Sequence, residues 1–600
     1  MQFTFKKIGK VVGLILIGLV LLFYSLKLAI QSPAVQTWAV NTVGNYLSNE
    51  LDCKVTVGEV DIRFFKSIEL NKVYFEDQKK DTVIYAPSIL VNFSAFSIPK
   101  QRIIISEVEL TNARIGLARY ANPRRYNIDF LIDYFSSSEK KKTKSKKWDL
   151  QIEDVRLIDN TLTYRDYKYN SSTTCVNWDD ARFSKLNLHV TDIIPDSNET
   201  NFNIRQLSFI EKSGFAVNKF ASKVKLTDSH FEFNSLAVKT PYSDITCDLN
   251  MKYDSIEDFE DFINKVYCTG KFYDSKVSFK DLKYFSSELN DVEESVLLAG
   301  DFKGTVNKFK AKNLTLKFTD NLYFKGNVNM KGLPDIESTV MEIEASDICL
   351  NKKDVESLPQ YPFSLRKNIV LPANIALLEN IHYAGSFTGY YYDFVSNGQI
   401  TTALGIINTD INFKVGKNDQ NTVYSGKVGL NNFNVGKFWK LNPEVGCFTL
   451  NVDVKGRGLE IKNVVADITG KVDKMYLHGY DYSGVTLNGQ FAKRLFSGEF
   501  NIADPNLDMD FEGNVNFAGA LPEMQFISSI RTAKLTKLKL IDRDVTADLN
   551  AELSIDLIGN SIDNIQGTIS ADELSYKEKD KSIDLNQLDI VSEISKQRIF

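Results

Sequence analysis

From Lys54 onward, apolar residues recur in short runs with a period near two, and this period limits what the chain can fold into. Val55-Thr56-Val57, Ile68-Glu69-Leu70, Val73-Tyr74-Phe75, Ile103-Ile104-Ile105 and Val108-Glu109-Leu110 are apolar or alternating runs separated by polar turns. Successive side chains of a strand point to opposite faces, so these runs predict strands. The second half is more regular. Leu314-Thr315-Leu316-Lys317-Phe318, Val328-Asn329-Met330, Leu507-Asp508-Met509-Asp510-Phe511 and Val515-Asn516-Phe517 alternate apolar with polar and often end at Gly326, Gly332, Gly513 or Gly519. Such strands have one apolar and one wet face. Ile468, Gly470, Val472 and Leu477 recur at an offset of 97 as Ile565, Gly567, Ile569 and Leu574, which fits a repetitive array of hairpins or meanders.

Six hundred residues exceed what one core usually organises, so the choice lies between several domains and an elongated repeat. Aromatic content of 12%, with only 13 prolines, favours sheets over disorder. The net charge of -5 leaves no global field to recruit nucleic acid. Cys53, Cys175, Cys247, Cys268, Cys349 and Cys447 are scattered without a C-x-x-C pair, which favours free thiols over a disulfide framework or zinc site.

The amino terminus breaks the pattern. Lys6, Lys7 and Lys10 precede an uncharged run from Val11 to Leu26. A helix over Ile8 to Ile30 would extend roughly 34 Å, enough for a ~30 Å hydrocarbon layer if Lys10 and Lys27 snorkel. Residues 1–31 are therefore expected to be a membrane anchor, with Val11, Leu14, Leu16, Leu19, Leu22 and Phe23 in the lipid and the rest of the chain across the membrane. A cleaved signal peptide is the rival, although Leu28-Ala29-Ile30-Gln31-Ser32-Pro33 is a poor cleavage site.

Residues 32–51 predict an amphipathic helix, with Ser32 as N-cap and Pro33 at the first position; it either plugs the next sheet or lies on the membrane. A first β unit covers 52–135. Ser136 to Lys147 holds six lysines and no apolar residue, so 136–147 reads as a solvated linker or loop, with anionic-lipid contact as the alternative. A second β unit spans 148–290 with a short helix near 255–266, and a repetitive β groove follows over 291–600; a further short helix is expected at Asp354 to Leu358.

No site chemistry emerges. His189, His230, His382 and His478 lack ligand spacing, and Gly456-Arg457-Gly458 is a lone G-x-G of the kind turns use. Asp508 and Asp510 alternate with apolar residues and belong on the wet face, not in an acid/base pair. Tyr390-Tyr391-Tyr392 fits a sheet rim as well as a stacking platform for a sugar or base. The expected class is not an enzyme, with no cofactor and no metal.

In their order, the anchor, SPAVQTWAVNTVGNYLSNELDCKVTVGEVDI, VLLAGDFKGTVNKFKAKNLTLKF through NVNMKGLPDIE, and TLNVDVKGRGLEIKNVVADITGKV resemble the AsmA/TamB-like family (translocation and assembly module) of Gram-negative envelope proteins, in its Bacteroidetes-type variety. The resemblance implies a mainly β fold: an elongated curved sheet folded over into an apolar groove, β-taco-like, with an amino-terminal transmembrane helix and a few short helices. It implies a chain anchored in the inner membrane with its bulk in the periplasm, conducting phospholipid between inner and outer membranes. It also implies an outer-membrane β-barrel partner reached through a carboxy-terminal region not seen here, the chain being the amino-terminal part of a longer protein. The alternatives are an assembly factor for outer-membrane proteins acting by strand addition, and a passive tether. Alternation assigns Leu316, Phe318, Met330, Leu507, Met509, Phe511, Val515 and Phe517 to the groove lining, and Lys317, Asp508, Asp510 and Asn516 to the wet face.

Overall fold

The computed structural model describes residues 42–592 except 43, 64–65, 98–101, 139–148, 170–174, 196–197, 286–288, 290–291, 361–363, 369, 461, 542–544 and 561–563. The expected anchor, with Val11, Leu14, Leu16, Leu19, Leu22 and Phe23, and most of the Lys-rich stretch lie outside the described residues. Within them, no helix is long and apolar enough to cross a membrane. The protein is mainly β, as alternation predicts, and divides into two compact units. The first runs to Phe318 and includes Pro359–Lys367; the second comprises Thr319–Leu358 and Asn368–Phe600.

In the first unit, the strand Thr82–Ser97 pairs antiparallel with Ser67–Glu76 on one side and Arg102–Thr111 on the other. Arg102–Thr111 then pairs in parallel with Asp149–Ile152 and Asp154–Asp166. A parallel neighbour requires a crossover connection. That connection contains the helix Asp129–Ser138, which the sequence analysis placed partly in the first β unit and partly in the linker. Phe130 stacks on Phe75 at 6.1 Å, and Leu131 packs with Leu51 and Cys53 beside Leu47 and Val55. Residues 44–51 are helical, and Leu47 and Leu51 pack beside Val55, Phe75 and Leu131.

Arg102–Thr111 and Arg114–Arg119 act as one interrupted strand, since both pair with Thr82–Ser97 and both run parallel to Asp154–Asp166. The break falls at Asn112, whose φ is 54°. A break in a buried sheet strands backbone groups, which must find partners. Asn160, fully buried, supplies them: its carbonyl oxygen accepts from the Ala113 N–H at 2.6 Å and its amide donates to the Leu110 carbonyl at 3.0 Å. Around it lies a dry core of Ile68, Leu70, Ile89, Ile103, Ile105 and Val108. From Asp180–Pro195 to Lys308–Thr319 each strand then pairs antiparallel with the next. The expected helix near 255–266 is present as a 3-10 turn Ile256–Asp261 followed by Phe262–Lys265, opened by a Ser255/Asp258 capping box.

The second unit is a plain antiparallel meander. Its fifteen described strands, from Leu322–Lys331 to Lys581–Ser592, each hydrogen-bond to the next in sequence. The expected helix near Asp354 is Lys352–Ser357, capped by Asn351. Two buried clusters sit at strand ends: Leu378, Leu404 and Phe433, and Val472, Val485, Ile502, Leu507, Ala533 and Leu538.

Candidate functional site: an apolar sheet face

The cross-strand register of the second unit sorts its side chains into lateral rows. One row reads Val328, Ile343, Phe387, Ser396, Ile411, Gly426, Val454, Ile468, Gly489, Gly498, Gly513, Phe526, Ile555, Ile569 and Ile590. Ser396 is its one polar member, and Gly426, Gly489, Gly498 and Gly513 leave it without side chains at four strands. Since paired residues share a face, this is an apolar line across the unit in which glycines alternate with aliphatic and aromatic side chains. Fourteen steps of about 4.8 Å give it a contour of roughly 67 Å along the sheet. Flanking rows repeat the pattern, with Met330, Met341, Phe394, Phe413, Tyr424 and Phe496 on one side and Val452, Leu487, Phe500, Phe511 and Leu553 on the other.

The register places the opposite face just as clearly. Asn327, Glu344, Ser386, Asn397, Asp410, Lys427, Asp453, Thr469, Asn488, Glu499 and Glu512 follow one another in line. Their side chains hydrogen-bond across strands, for example Asn488 to Glu499 at 2.9 Å and Asn327 to Glu344 at 3.2 Å. A cleft of about 640 Å³ is lined by Asn488, Glu499, Asn501 and Asp510, which bond in pairs across strands, together with Leu487, Phe500, Phe511 and Ile527.

Burial varies along the apolar face: Val472, Val485, Ile502, Leu507 and Phe511 form a buried patch, while most of the central row is not closed over. Ile343, Phe387, Ile411, Val454, Ile468, Phe526, Ile555 and Ile569 are half-buried, whereas the polar residues between them are largely exposed. A closed core would hold such side chains in contact on all sides. Aromatic ladders run along the face: Phe387 stacks on Phe394 at 4.6 Å, Phe394 on Phe413 at 5.5 Å and Phe413 on Tyr424 at 6.3 Å. A second ladder centres on Phe511, 4.4 Å from Phe500 and 4.7 Å from Phe526. Glycines make room for rings. A Cβ on Gly498 would lie 2.4 Å from the Gly489 Cα, and one on Gly489 would lie 2.7 Å from the Phe496 ring.

Of the residues assigned to the groove, Met330 and Val515 fall in one row, while Leu507, Met509 and Phe511 line the same face, with Leu507 and Phe511 buried and Met509 half-buried. Leu316 and Phe318 are half-buried but belong to the first unit. Phe517 stands apart: its strand ends at Asn516, and its ring is 53% exposed in the following turn. Asp508 and Asp510 share the polar face with Arg531, whose Nε donates to Asp508 at 2.8 Å and whose other nitrogens bond both carboxylates. Arg531 and Asn501 hold the Asp510 carboxyl below its usual range, which suits an ion pair and not a general acid.

One constellation has the order of a nucleophile, a base and an orienting acid. Cys349 Sγ lies 3.8 Å from His382 Nε2, and His382 Nδ1 lies 3.0 Å from Asp347, which also accepts from Tyr323 at 2.6 Å. Cys349 is only 2% exposed, and burial, then Asp347, raises its thiol pKa. A buried, protonated thiol is a packed residue, not an activated nucleophile. All six cysteines are free. Among the described residues no three His, Cys, Asp or Glu side chains are grouped to hold a metal. Tyr390, Tyr391 and Tyr392 sit at a hairpin rim and pack on one another, Tyr390 stacking on Tyr392 at 5.6 Å.

No protein-family model, curated protein or solved structure matches this chain. The functional reading therefore rests on the two-faced sheet itself.

Proposed function

We propose that the protein is an inner-membrane-anchored periplasmic bridge that conducts phospholipid between the inner and outer membranes, with acyl chains on the apolar face of the second unit. One observation carries the reading: an apolar, largely half-buried face that runs across the strands of the second unit, backed by a mostly polar face interrupted by the exposed Ile527. Half of a ~30 Å hydrocarbon layer is about 15 Å, so the 67 Å row, itself roughly estimated, exceeds one acyl chain several times over. Each methylene kept from water on such a track is worth about 0.8 kcal/mol, so a chain sliding along it meets no large barrier. The phospholipid headgroup stays in water, the family resemblance supplies the two membranes, and a β-barrel partner at the far membrane belongs to the same proposal.

The test compares adjacent positions on opposite faces. Lipid bound per purified full-length chain, quantified by mass spectrometry, should fall in Ile411→Asp and stay unchanged in Asn412→Asp. Equal lipid in both variants would sink the conduit.

A further inference from the structure

One end of the first unit's sheet is a rim of exposed aromatic rings and cations. Lys79 lies in the hairpin between Ser67–Glu76 and Thr82–Ser97, Tyr120 follows Arg114–Arg119, and Tyr167 and Tyr169 follow the parallel strand Asp154–Asp166. Trp178 precedes Asp180–Pro195, which runs antiparallel to Asp154–Asp166, so all share one end. The Val176 N–H donates to the Tyr284 carbonyl at 2.7 Å and brings Phe285 against Trp178, their rings stacked at 6.5 Å.

The rings and cations are interleaved. Tyr120 stacks on Tyr167 at 5.6 Å; Lys79 Nζ sits 3.4 Å from the Tyr120 centroid, Arg165 sits 5.1 Å from Tyr167, and Lys168 sits 5.0 Å from Tyr169. Tyr167, Tyr169, Trp178 and Phe285 are 46–57% exposed. Carboxylates at the same end are turned inward or paired. Asp77 is 1% exposed and accepts from the backbone of Lys79 and Asp81 and from the Tyr120 hydroxyl. Asp166 is 3% exposed and takes a two-pronged bond from Arg124 at 3.0 and 2.8 Å. Glu260 pairs with Arg119, Asp133 with Arg125, Asp180 with Lys212 and Glu293 with Lys280; Asp81 is an exposed carboxylate beside the tyrosines, and Asp179, next to Trp178, and Glu294 are half-buried. Lys79, Arg165 and Lys168 have no ion-pair partner among the described residues.

Exposed tyrosine and tryptophan are stable where one end of the ring is apolar and the other wet, the environment of a membrane headgroup layer. Lysine and arginine beside them meet lipid phosphate. We propose that this rim docks on an anionic lipid surface, with Trp178, Tyr167 and Tyr169 in the headgroup layer and Lys79, Arg165 and Lys168 on the phosphates. The proposal does not depend on acyl chains entering the apolar face of the second unit.

The test uses the full chain with Trp38, Trp148 and Trp439 replaced by Phe, so that Trp178 alone reports. It is mixed with vesicles of phosphatidylcholine, with or without phosphatidylglycerol, carrying brominated acyl chains. Trp178 fluorescence should be quenched in the anionic vesicles and not in the neutral ones, and high salt should relieve the quenching. Each cation removed should weaken docking about fivefold, and Lys79→Ala, Arg165→Ala and Lys168→Ala together on the order of 100-fold. These side chains are solvent-facing, and unchanged far-UV circular dichroism would confirm that the triple variant folds. Absence of quenching in anionic vesicles, or quenching that persists in the folded triple variant, would overturn the proposal. So would tight binding of soluble heparin without quenching by brominated lipid, which would mark a site for a soluble polyanion.

Discussion

Replacing Phe511 with alanine tests whether the second unit is stabilised strand by strand. The ring is 5% exposed and lies nearly flat on Phe500, with an interplanar angle of 8° at 4.4 Å, and close to Phe526 at 4.7 Å. Burying a phenylalanine side chain is worth about 2–3 kcal/mol, and each close ring pair adds about 0.5–1.5 kcal/mol. With partial collapse of the hole, Phe511→Ala should cost about 3–5 kcal/mol, the usual range for a core phenylalanine. Phe413 is half-buried, with its ring partners at 5.5 and 6.3 Å, so Phe413→Ala should cost about 1–2 kcal/mol. In a meander where each strand touches only its neighbours, the loss stays local. Hydrogen exchange read by mass spectrometry should speed up on the order of 1,000-fold across residues 495–534 in Phe511→Ala, with residues 381–434 unchanged. A uniform rise across 381–592, or equal effects of the two variants, would refute the strand-by-strand account.

Asp504 is 7% exposed and accepts from Tyr480, from the Ser483 hydroxyl and N–H, and from the Asn506 N–H. Burial pushes its carboxyl up, but these bonds outweigh burial and leave it below the usual range. Its contribution is therefore complete above the unfolded value of about 3.9 and lost as pH falls through the lower folded one. Exchange protection of residues 480–507, taken relative to the intrinsic rate at each pH, should be flat from pH 7 to 5 and fall only below about 4, a fall absent in Asp504→Asn; a transition near pH 6 would contradict the assignment. Gly498→Ala forces its strand from Gly489 and should open residues 480–516 in the same assay; an unperturbed exchange pattern would show that the close approach is not needed. Burial, helped by neighbouring carboxylates, pushes the Cys53 and Cys247 thiols up to about 11, so at pH 8 iodoacetamide should label the half-buried Cys175 and Cys447 well before them. Simultaneous labelling of Cys247 and Cys447 would be the contrary result.

Period two alone placed Met330, Leu507, Met509, Phe511 and Val515 on one face and Asp508 and Asp510 on the other, because a strand leaves a side chain no third direction. The strand ends at Asn516, whose side chain accepts from the Ala518 N–H, so Phe517 lies beyond the last position that alternation assigns within it. The Phe387, Phe394, Phe413 and Tyr424 ladder was missed, since Gly385, Gly389 and Gly398 thin the alternation in just the strands where rings lie over the backbone. The helix Asp129–Ser138 was missed for a different reason. Asp129-Phe130-Leu131-Ile132 is too short to show its period, and its helicity is settled by packing on Leu51 and Phe75, which no local pattern reports. Likewise Asn160 reads as an ordinary turn residue until the break at Asn112 gives it two backbone partners.

The central claim is that lipid acyl chains occupy one face of the second unit and not the other. Phe413 and Asn412 are neighbours on opposite faces, Phe413 within an aromatic ladder and Asn412 exposed. A benzoylphenylalanine photo-crosslinker introduced at each position in cells, followed by mass spectrometry of the adducts, separates the two faces directly. The account predicts phospholipid adducts at 413 and none at 412. Adducts at both positions in equal yield, or none at 413 while the chain remains folded, would contradict it.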